Sequence, residues 1–152
     1  MPSYLDPDCQ LTLREALREF DESNSEALYH REMSRDSQAF FRCHDTAHVV
    51  FACDISMSNE GMVKIWTAFG TTLGFWKHIR AYSRKETTEI VREMSVGSIV
   101  ATFFVSLVTM PRVMVRCAAM TKKWPWAEHE EYLDRKLADI RREFNIRPIA
   151  VG

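Results

Sequence analysis

The chain has 152 residues, of which 46% are apolar and 27% charged, a composition typical of a globular protein of one domain. Lys and Arg total 20 against 21 Asp and Glu, so the net charge is −1, which argues against a nucleic-acid binder with a strongly basic face. Five glycines and five prolines exclude a collagenous or low-complexity chain. We therefore predict a single domain over 1–152, which the periodicity described below makes helical.

The N-terminal residues and the cysteines indicate the cellular compartment of the protein. Residues 1–8 contain neither a basic region nor an apolar stretch, so we expect a cytoplasmic protein without a signal or transit peptide. The four cysteines form no Cys-x-x-Cys pair, which disfavours a four-thiolate zinc site. We expect reduced cysteines, with Cys43 and Cys117 as small buried apolar residues.

Apolar residues recur at steps of three and four along most of the chain, the period of amphipathic helices. This pattern predicts an all-α fold with about six helices in one bundle. The first helix follows a start signal at Asp6 and Pro7. Asp36 is a suitable N-cap for a second helix that runs to Phe51, and the polar residues 54–59 predict the turn after it.

The middle of the chain is its most apolar part. Apolar residues from Met62 to Trp76 fall on one face of a predicted third helix, and residues 83–86 predict another helix start. Residues 94–111 carry no charge, which predicts a central apolar helix, buried in the bundle or in contact with lipid, with a stripe of small hydroxyl side chains. Pro111 should break or kink this helix.

The C-terminal third predicts one more amphipathic helix. The Trp-Pro-Trp sequence at 124–126 predicts the end of the helix before it. Between Leu133 and Phe144 the apolar residues follow steps of four, three and four. The charged residues from Glu130 to Arg142 predict an ordinary solvated face of this last helix.

One cluster of residues carries the chemistry. The sequence reads His44-Asp45-Thr46-Ala47-His48, and Glu60 follows after eleven further residues. On a helix, His44 and His48 lie one turn apart on the side of the apolar residues, so both imidazoles should point into the interior. Two histidines at this spacing can each give one nitrogen to the same metal ion.

Two carboxylates complete the predicted site. Asp45 flanks the histidines, and a short antiparallel return would bring Glu60 to the level of His48. Such a set suits zinc, iron or manganese and leaves coordination positions open. Three alternatives need no metal: hydrogen-bonded core histidines, an ion pair of Asp45 with Arg42 or Arg14, and a Glu60 that complements its own helix N-terminus.

The motif resembles the zinc-ligand motif of the coenzyme Q biosynthesis protein 4 family. All four motif residues are present here as His44, Asp45, His48 and Glu60. The sequences at 53–56 and 139–146 are also similar to stretches of that family, and the resemblance covers residues 36–148. Ala52 stands where the family commonly has glycine.

The resemblance implies a mostly α-helical protein that binds isoprenoid lipid and works with quinone-biosynthesis proteins at a membrane. The implied reaction is C1 decarboxylation of a polyprenyl-hydroxybenzoate precursor, either simple or oxidative. His44, Asp45, His48 and Glu60 take the metal-ligand assignment, with zinc preferred over iron and manganese. Asp45 or Glu60, when not ligated, would be the catalytic proton donor.

A prenyl tail would need an apolar groove. Aromatic residues of the third helix, Phe69, Phe75 and Trp76, and the uncharged helix at 94–111 could wall one, but the sequence favours simple core packing for these residues. The basic residues Arg80, Arg84 and Lys85 could meet an acidic headgroup or serve surface solubility. Exposed apolar helix faces are compatible with a homodimer or with peripheral membrane contact.

Two other functions fit parts of the sequence. An HD-type phosphohydrolase would use the His44-Asp45 doublet with His30 upstream and Asp134 or Asp139 downstream, but it would leave Glu60 without a role. A non-catalytic isoprenoid carrier or scaffold would use the same metal only for structure.

Overall fold

The computed structural model of the chain describes residues 1–25, 35–82 and 96–149. Within these ranges it contains six α-helices, two short 3-10 helices and no β-strand, which confirms the predicted all-α bundle. We number the α-helices α1 (Leu13–Ser23), α2 (Arg35–Val50), α3 (Met57–Gly70), α4 (Phe75–Tyr82), α5 (Val96–Ala118) and α6 (Leu137–Phe144). The 3-10 helices span Ser3–Leu5 and His129–Tyr132.

The first α-helix begins later than predicted. α1 starts after a capping box in which the Thr12 hydroxyl accepts from the Glu15 N–H and the Glu15 carboxylate accepts from the Thr12 N–H. Asp6 and Pro7 instead lie in the bend after the first 3-10 helix, so the predicted start there is wrong. The apolar face of α1 was predicted correctly, because all four of its members are buried: Leu13, Ala16, Leu17 and Phe20.

The motif helix, α2, ends in a Schellman turn. The Cys53 N–H donates to the His48 carbonyl at 2.8 Å, and the Ala52 N–H donates to the Val49 carbonyl at 3.3 Å. Ala52 holds the left-handed position of this turn, with a φ of 54°. The described part of α2 begins at Arg35, so Asp36 lies inside the helix and the predicted N-cap at this residue is wrong; its side chain is outside those that the structure describes.

Replacing Ala52 by glycine should raise the free energy of unfolding by about 0.5–1 kcal/mol, because glycine adopts the left-handed conformation without the steric penalty that alanine has there. Urea denaturation followed by circular dichroism measures the change. The matched control is Ala39→Gly at an exposed position within α2, which should lose about 1 kcal/mol. Equal losses in both variants would contradict the prediction.

The third helix is shorter than predicted. α3 ends at Gly70, because the Trp124 N–H donates to the Gly70 carbonyl and the Trp124 carbonyl accepts from the Thr72 N–H, both at 2.9 Å. The chain turns through Gly74, which has a φ of 74°, and continues as α4. The predicted continuous face up to Trp76 is therefore wrong, and Trp76 is largely exposed. The helix start predicted at 83–86 lies outside the described residues.

The long helix α5 packs along α3 and continues through Pro111 to Ala118, so of the predicted break or kink at this proline, the break is wrong. Of the described side chains near it, Val113 is buried, whereas four apolar side chains are exposed: Leu107, Met110, Met114 and Val115. The predicted burial does not hold for this half of α5. Much of the hydroxyl stripe lies outside the described side chains. None of the described helices combines the length and the apolar character that a membrane crossing requires.

The residues after α5 contribute buried side chains to the hydrophobic core. Trp124 and Trp126 are buried but do not end a helix, since α5 stops at Ala118. Within the face predicted to be solvated, Arg141 is only 2% exposed, so that prediction is wrong at this residue. The four cysteines are free thiols, as predicted; three are buried, and Cys117 is half-buried.

Candidate metal centre

Three of the four predicted ligands form a compact group. One ligand atom from each of His44, His48 and Glu60 lies within 4.8 Å of the other two. The two histidines come from consecutive turns of α2, and Glu60 comes from the first turn of α3, where the short Schellman turn returns the chain. The group could hold a metal ion through two imidazole nitrogens and one carboxylate oxygen.

The hydrogen bonds of His48 leave one nitrogen for a cation. Nδ1 lies 3.1 Å from the Cys53 carbonyl oxygen, which can only accept, so Nδ1 carries the proton. In the neutral ring, Nε2 is then a lone pair, and it faces Glu60 Oε1 at 3.1 Å. Two acceptors at this separation require a proton or a metal ion between them. Donation from Nδ1 to a carbonyl is also the arrangement that orients metal-binding histidines.

His44 supplies a second nitrogen. Its side chain is 8% exposed, and its Nε2 is buried without a hydrogen-bond partner among the residues that the structure describes. Burial, reinforced by the neighbouring His48, lowers the pKa of His44 to about 3, so the ring is neutral at physiological pH. A buried neutral imidazole with an unused ring nitrogen has the chemistry of a metal ligand.

Glu60 is ionised and partly open to solvent. Burial alone would raise the pKa of its carboxyl, but the hydrogen bond that His48 donates when its Nε2 is protonated, together with the Lys64 ammonium, outweighs burial and lowers this pKa. The Lys64 ammonium lies 3.9 Å from Glu60 Oε2, one turn further along α3. With neutral histidines, the three-residue group carries one negative charge, which favours a divalent cation over an empty pocket.

Asp45 flanks the three-residue group without being part of it. Its side chain is half-buried and has no hydrogen bond or ion pair with the residues in 1–25, 35–82 and 96–149. Burial raises the pKa of this carboxyl to about 7, against the opposing effect of His48. Burial therefore favours the protonated form of Asp45, whereas a divalent cation in contact with this carboxyl would favour its ionised form.

The other charged residues considered from the sequence are engaged at the surface. Arg42 pairs with Asp21 and Arg14 pairs with Asp134, each at 2.9 Å, so the alternative ion pairs of Asp45 with these arginines are wrong. Asp139 pairs with Arg142 on α6. His30 lies outside the described residues.

Arg141 supports the site and was missed from the sequence. Its guanidinium donates to the Val49 and Val50 carbonyls at 2.8 and 2.9 Å, which caps the end of α2 directly after His48. A signal for its burial was present, because residue 141 follows Leu137 by four positions and precedes Phe144 by three, on the apolar face of α6.

The residues predicted to wall a prenyl groove are only partly in place. Phe69 stacks on Phe75 with ring centroids 5.7 Å apart, and Phe75 also contacts Trp76. A separate surface groove of about 500 Å³ is lined by two arginines and four apolar residues: Pro111, Arg112, Val115, Arg116, Pro148 and Ile149. The side chains of the predicted headgroup residues Arg80, Arg84 and Lys85 lie outside those the structure describes.

Comparisons with known proteins do not assign a family or a function to this site. No family model, no curated protein and no solved structure matches the chain.

Proposed function

We propose that this chain binds one divalent metal ion, preferentially zinc, through His44, His48 and Glu60. The observation that carries the proposal is the pair of facing acceptors, His48 Nε2 and Glu60 Oε1, together with a buried His44 Nε2 that has no hydrogen-bond partner among the described residues. Burying these groups together is unfavourable unless a cation compensates them. With three protein ligands, the ion keeps an open position, which is typical of catalytic rather than structural zinc.

The proposed reaction is C1 decarboxylation of a polyprenyl-hydroxybenzoate. It is proposed because the motif resembles the zinc-ligand motif of the coenzyme Q biosynthesis protein 4 family. A bound zinc ion would act as a Lewis acid toward the substrate carboxylate or phenolate, and iron or manganese would be needed for an oxidative version. In the simple version, the carboxylate leaves as carbon dioxide and its bonding electron pair stays on ring carbon C1. Asp45 would deliver the proton that this carbon takes up.

The apolar parts of the surface support a substrate with a lipid tail. Phe75 and Trp76 are exposed next to Phe69, and α5 exposes an apolar face near its C-terminal half. Exposed aromatic and aliphatic side chains of this kind are suited to an isoprenoid chain, to a membrane surface or to a second copy of the protein. Contacts with quinone-biosynthesis proteins remain part of the proposal on the resemblance alone.

Activity on a short-chain prenylated 4-hydroxybenzoate tests the proposal, with the decarboxylated phenol measured by mass spectrometry. Zinc-loaded protein should form the phenol, and Asp45→Asn should lower the rate about 100-fold or more with unchanged metal content. Metal binding without turnover, together with co-purified isoprenoid, would contradict the enzymatic function and support a non-catalytic carrier. Phosphate release from nucleotides would favour the phosphohydrolase instead.

A further inference from the structure

We propose that one face of α5 binds the surface of a bilayer that contains anionic phospholipid. This face, which we call the α5 stripe, consists of six exposed apolar residues in the C-terminal half of the helix: Leu107, Met110, Pro111, Met114, Val115 and Ala118. They follow one another at alternating steps of three and one, so they lie on one side of the helix. Val113, on the opposite side, is buried, which shows that the stripe is turned away from the core.

The charges beside the stripe all have the same sign. Arg112 and Arg116 lie one turn apart along one edge of the stripe, and neither forms an ion pair with any residue that the structure describes. The sequence from 94 to 127 contains four Lys or Arg residues and no Asp or Glu. Because the net charge of the whole chain is −1, this stretch is locally basic within a slightly acidic protein. Anionic headgroups therefore complement this edge of α5.

A surface groove lies at the same edge and has the chemistry of a site for one phospholipid headgroup. α5 contributes Arg112, Val115 and Arg116 to its lining, and the segment after α6 contributes Pro148 and Ile149. Guanidinium groups bind phosphate oxygens through two parallel hydrogen bonds, and the apolar lining suits the first methylene groups of an acyl chain. The groove thus places cationic groups directly beside the apolar side chains of the stripe.

This combination favours a bilayer over a second copy of the chain. If two α5 stripes packed against each other, residues 94–127 of neither copy would offer a carboxylate to Arg112 or Arg116. The surface of an anionic bilayer supplies both partners at once, because its headgroups carry the negative charge and its acyl chains receive the apolar side chains. Helices that lie in a membrane interface combine an apolar face with flanking Lys or Arg in this way.

Co-sedimentation of the full chain with lipid vesicles tests the proposal. The chain should bind vesicles made of equal parts of phosphatidylcholine and phosphatidylserine much more tightly than vesicles of phosphatidylcholine alone, and salt should weaken this binding. Arg112→Gln combined with Arg116→Gln should weaken it about 25-fold, because each basic residue near an anionic surface contributes about 5-fold. The matched control is Arg14→Gln combined with Arg18→Gln, which removes two exposed arginines one turn apart on α1 and should leave the affinity unchanged.

A second variant tests the apolar part of the stripe without changing the charge. Leu107→Gln combined with Val115→Gln replaces the two most exposed of its large side chains and should weaken vesicle binding more than about 10-fold. Binding that is absent in the unmodified chain, equal for both kinds of vesicle, or equal in the two arginine variants would overturn the proposal. So would a dimer, detected by light scattering, that Leu107→Gln with Val115→Gln dissociates, because the stripe would then be an interface between two copies.

Vesicle binding through this face does not involve His44, His48 or Glu60. A chelator should therefore leave the vesicle affinity unchanged, and a chain that fails to bind zinc should still bind anionic vesicles. Loss of vesicle binding in the chelator would contradict the assignment to the α5 stripe.

Discussion

Arg141→Met should lower the free energy of unfolding by about 3–5 kcal/mol, the expected loss when several buried backbone carbonyls lose the one side chain that donates to all of them. The guanidinium donates to the Tyr4 and Asp6 carbonyls at 2.6 and 2.5 Å, in addition to those of Val49 and Val50 at the end of α2. Methionine fills the volume but donates nothing, so these buried oxygens lose their partner. Urea denaturation followed by tryptophan fluorescence measures the loss.

The control for Arg141→Met is the neighbouring Arg142→Met. Arg142 is exposed and pairs with Asp139 within one turn of α6, so its loss should change stability by less than about 0.5 kcal/mol. Because Arg141 also fastens the N-terminal segment, limited proteolysis should cut before α1 faster in Arg141→Met than in the control variant. If the free energy of unfolding of Arg141→Met stayed within about 1 kcal/mol of that of the unmodified chain, the prediction would be wrong, because water would then replace the hydrogen bonds of the guanidinium.

Local features of the sequence predicted most of what is local in the fold. The apolar residues of α1 and α6 follow the helical period because each residue needs only its own helix to define its face. The side-by-side placement of His44 and His48 follows from the same geometry and needs no tertiary information. The return of Glu60 to His48 was predictable because the connection between their helices is short.

Features that depend on distant parts of the chain were not predictable. α3 ends where Trp124, more than fifty residues later, donates to the carbonyl of Gly70, and the residues around Gly70 do not specify this distant partner. Arg141 reaches carbonyls 91 and 92 residues earlier in the chain, so its charged neighbours on α6 suggested a solvated face. Pro111 lies inside α5, because packing against α3 outweighs the one backbone hydrogen bond that proline removes.

Zinc should stabilise the unmodified chain against thermal unfolding, and Glu60→Gln should abolish most of this effect. At a free zinc concentration about 100 times the dissociation constant, binding to the native state alone adds about 2.7 kcal/mol. Glu60→Gln removes the only charged ligand of the three-residue group, and we expect a loss of affinity greater than about 100-fold, since even residues behind the ligands cost about 10–100-fold. Differential scanning fluorimetry with zinc or with a chelator measures the shift.

Glutamine is the informative substitution because it separates metal binding from folding. Its amide nitrogen can donate to His48 Nε2, so without zinc the variant should match the stability of the unmodified chain. Glu130→Gln, at an exposed position, controls for the loss of one negative charge and should keep the full zinc effect. If zinc stabilised Glu60→Gln as strongly as the unmodified chain, a shared proton rather than a metal ion would account for the contact between His48 and Glu60. The buried nitrogen of His44 would then be a destabilising feature of the core.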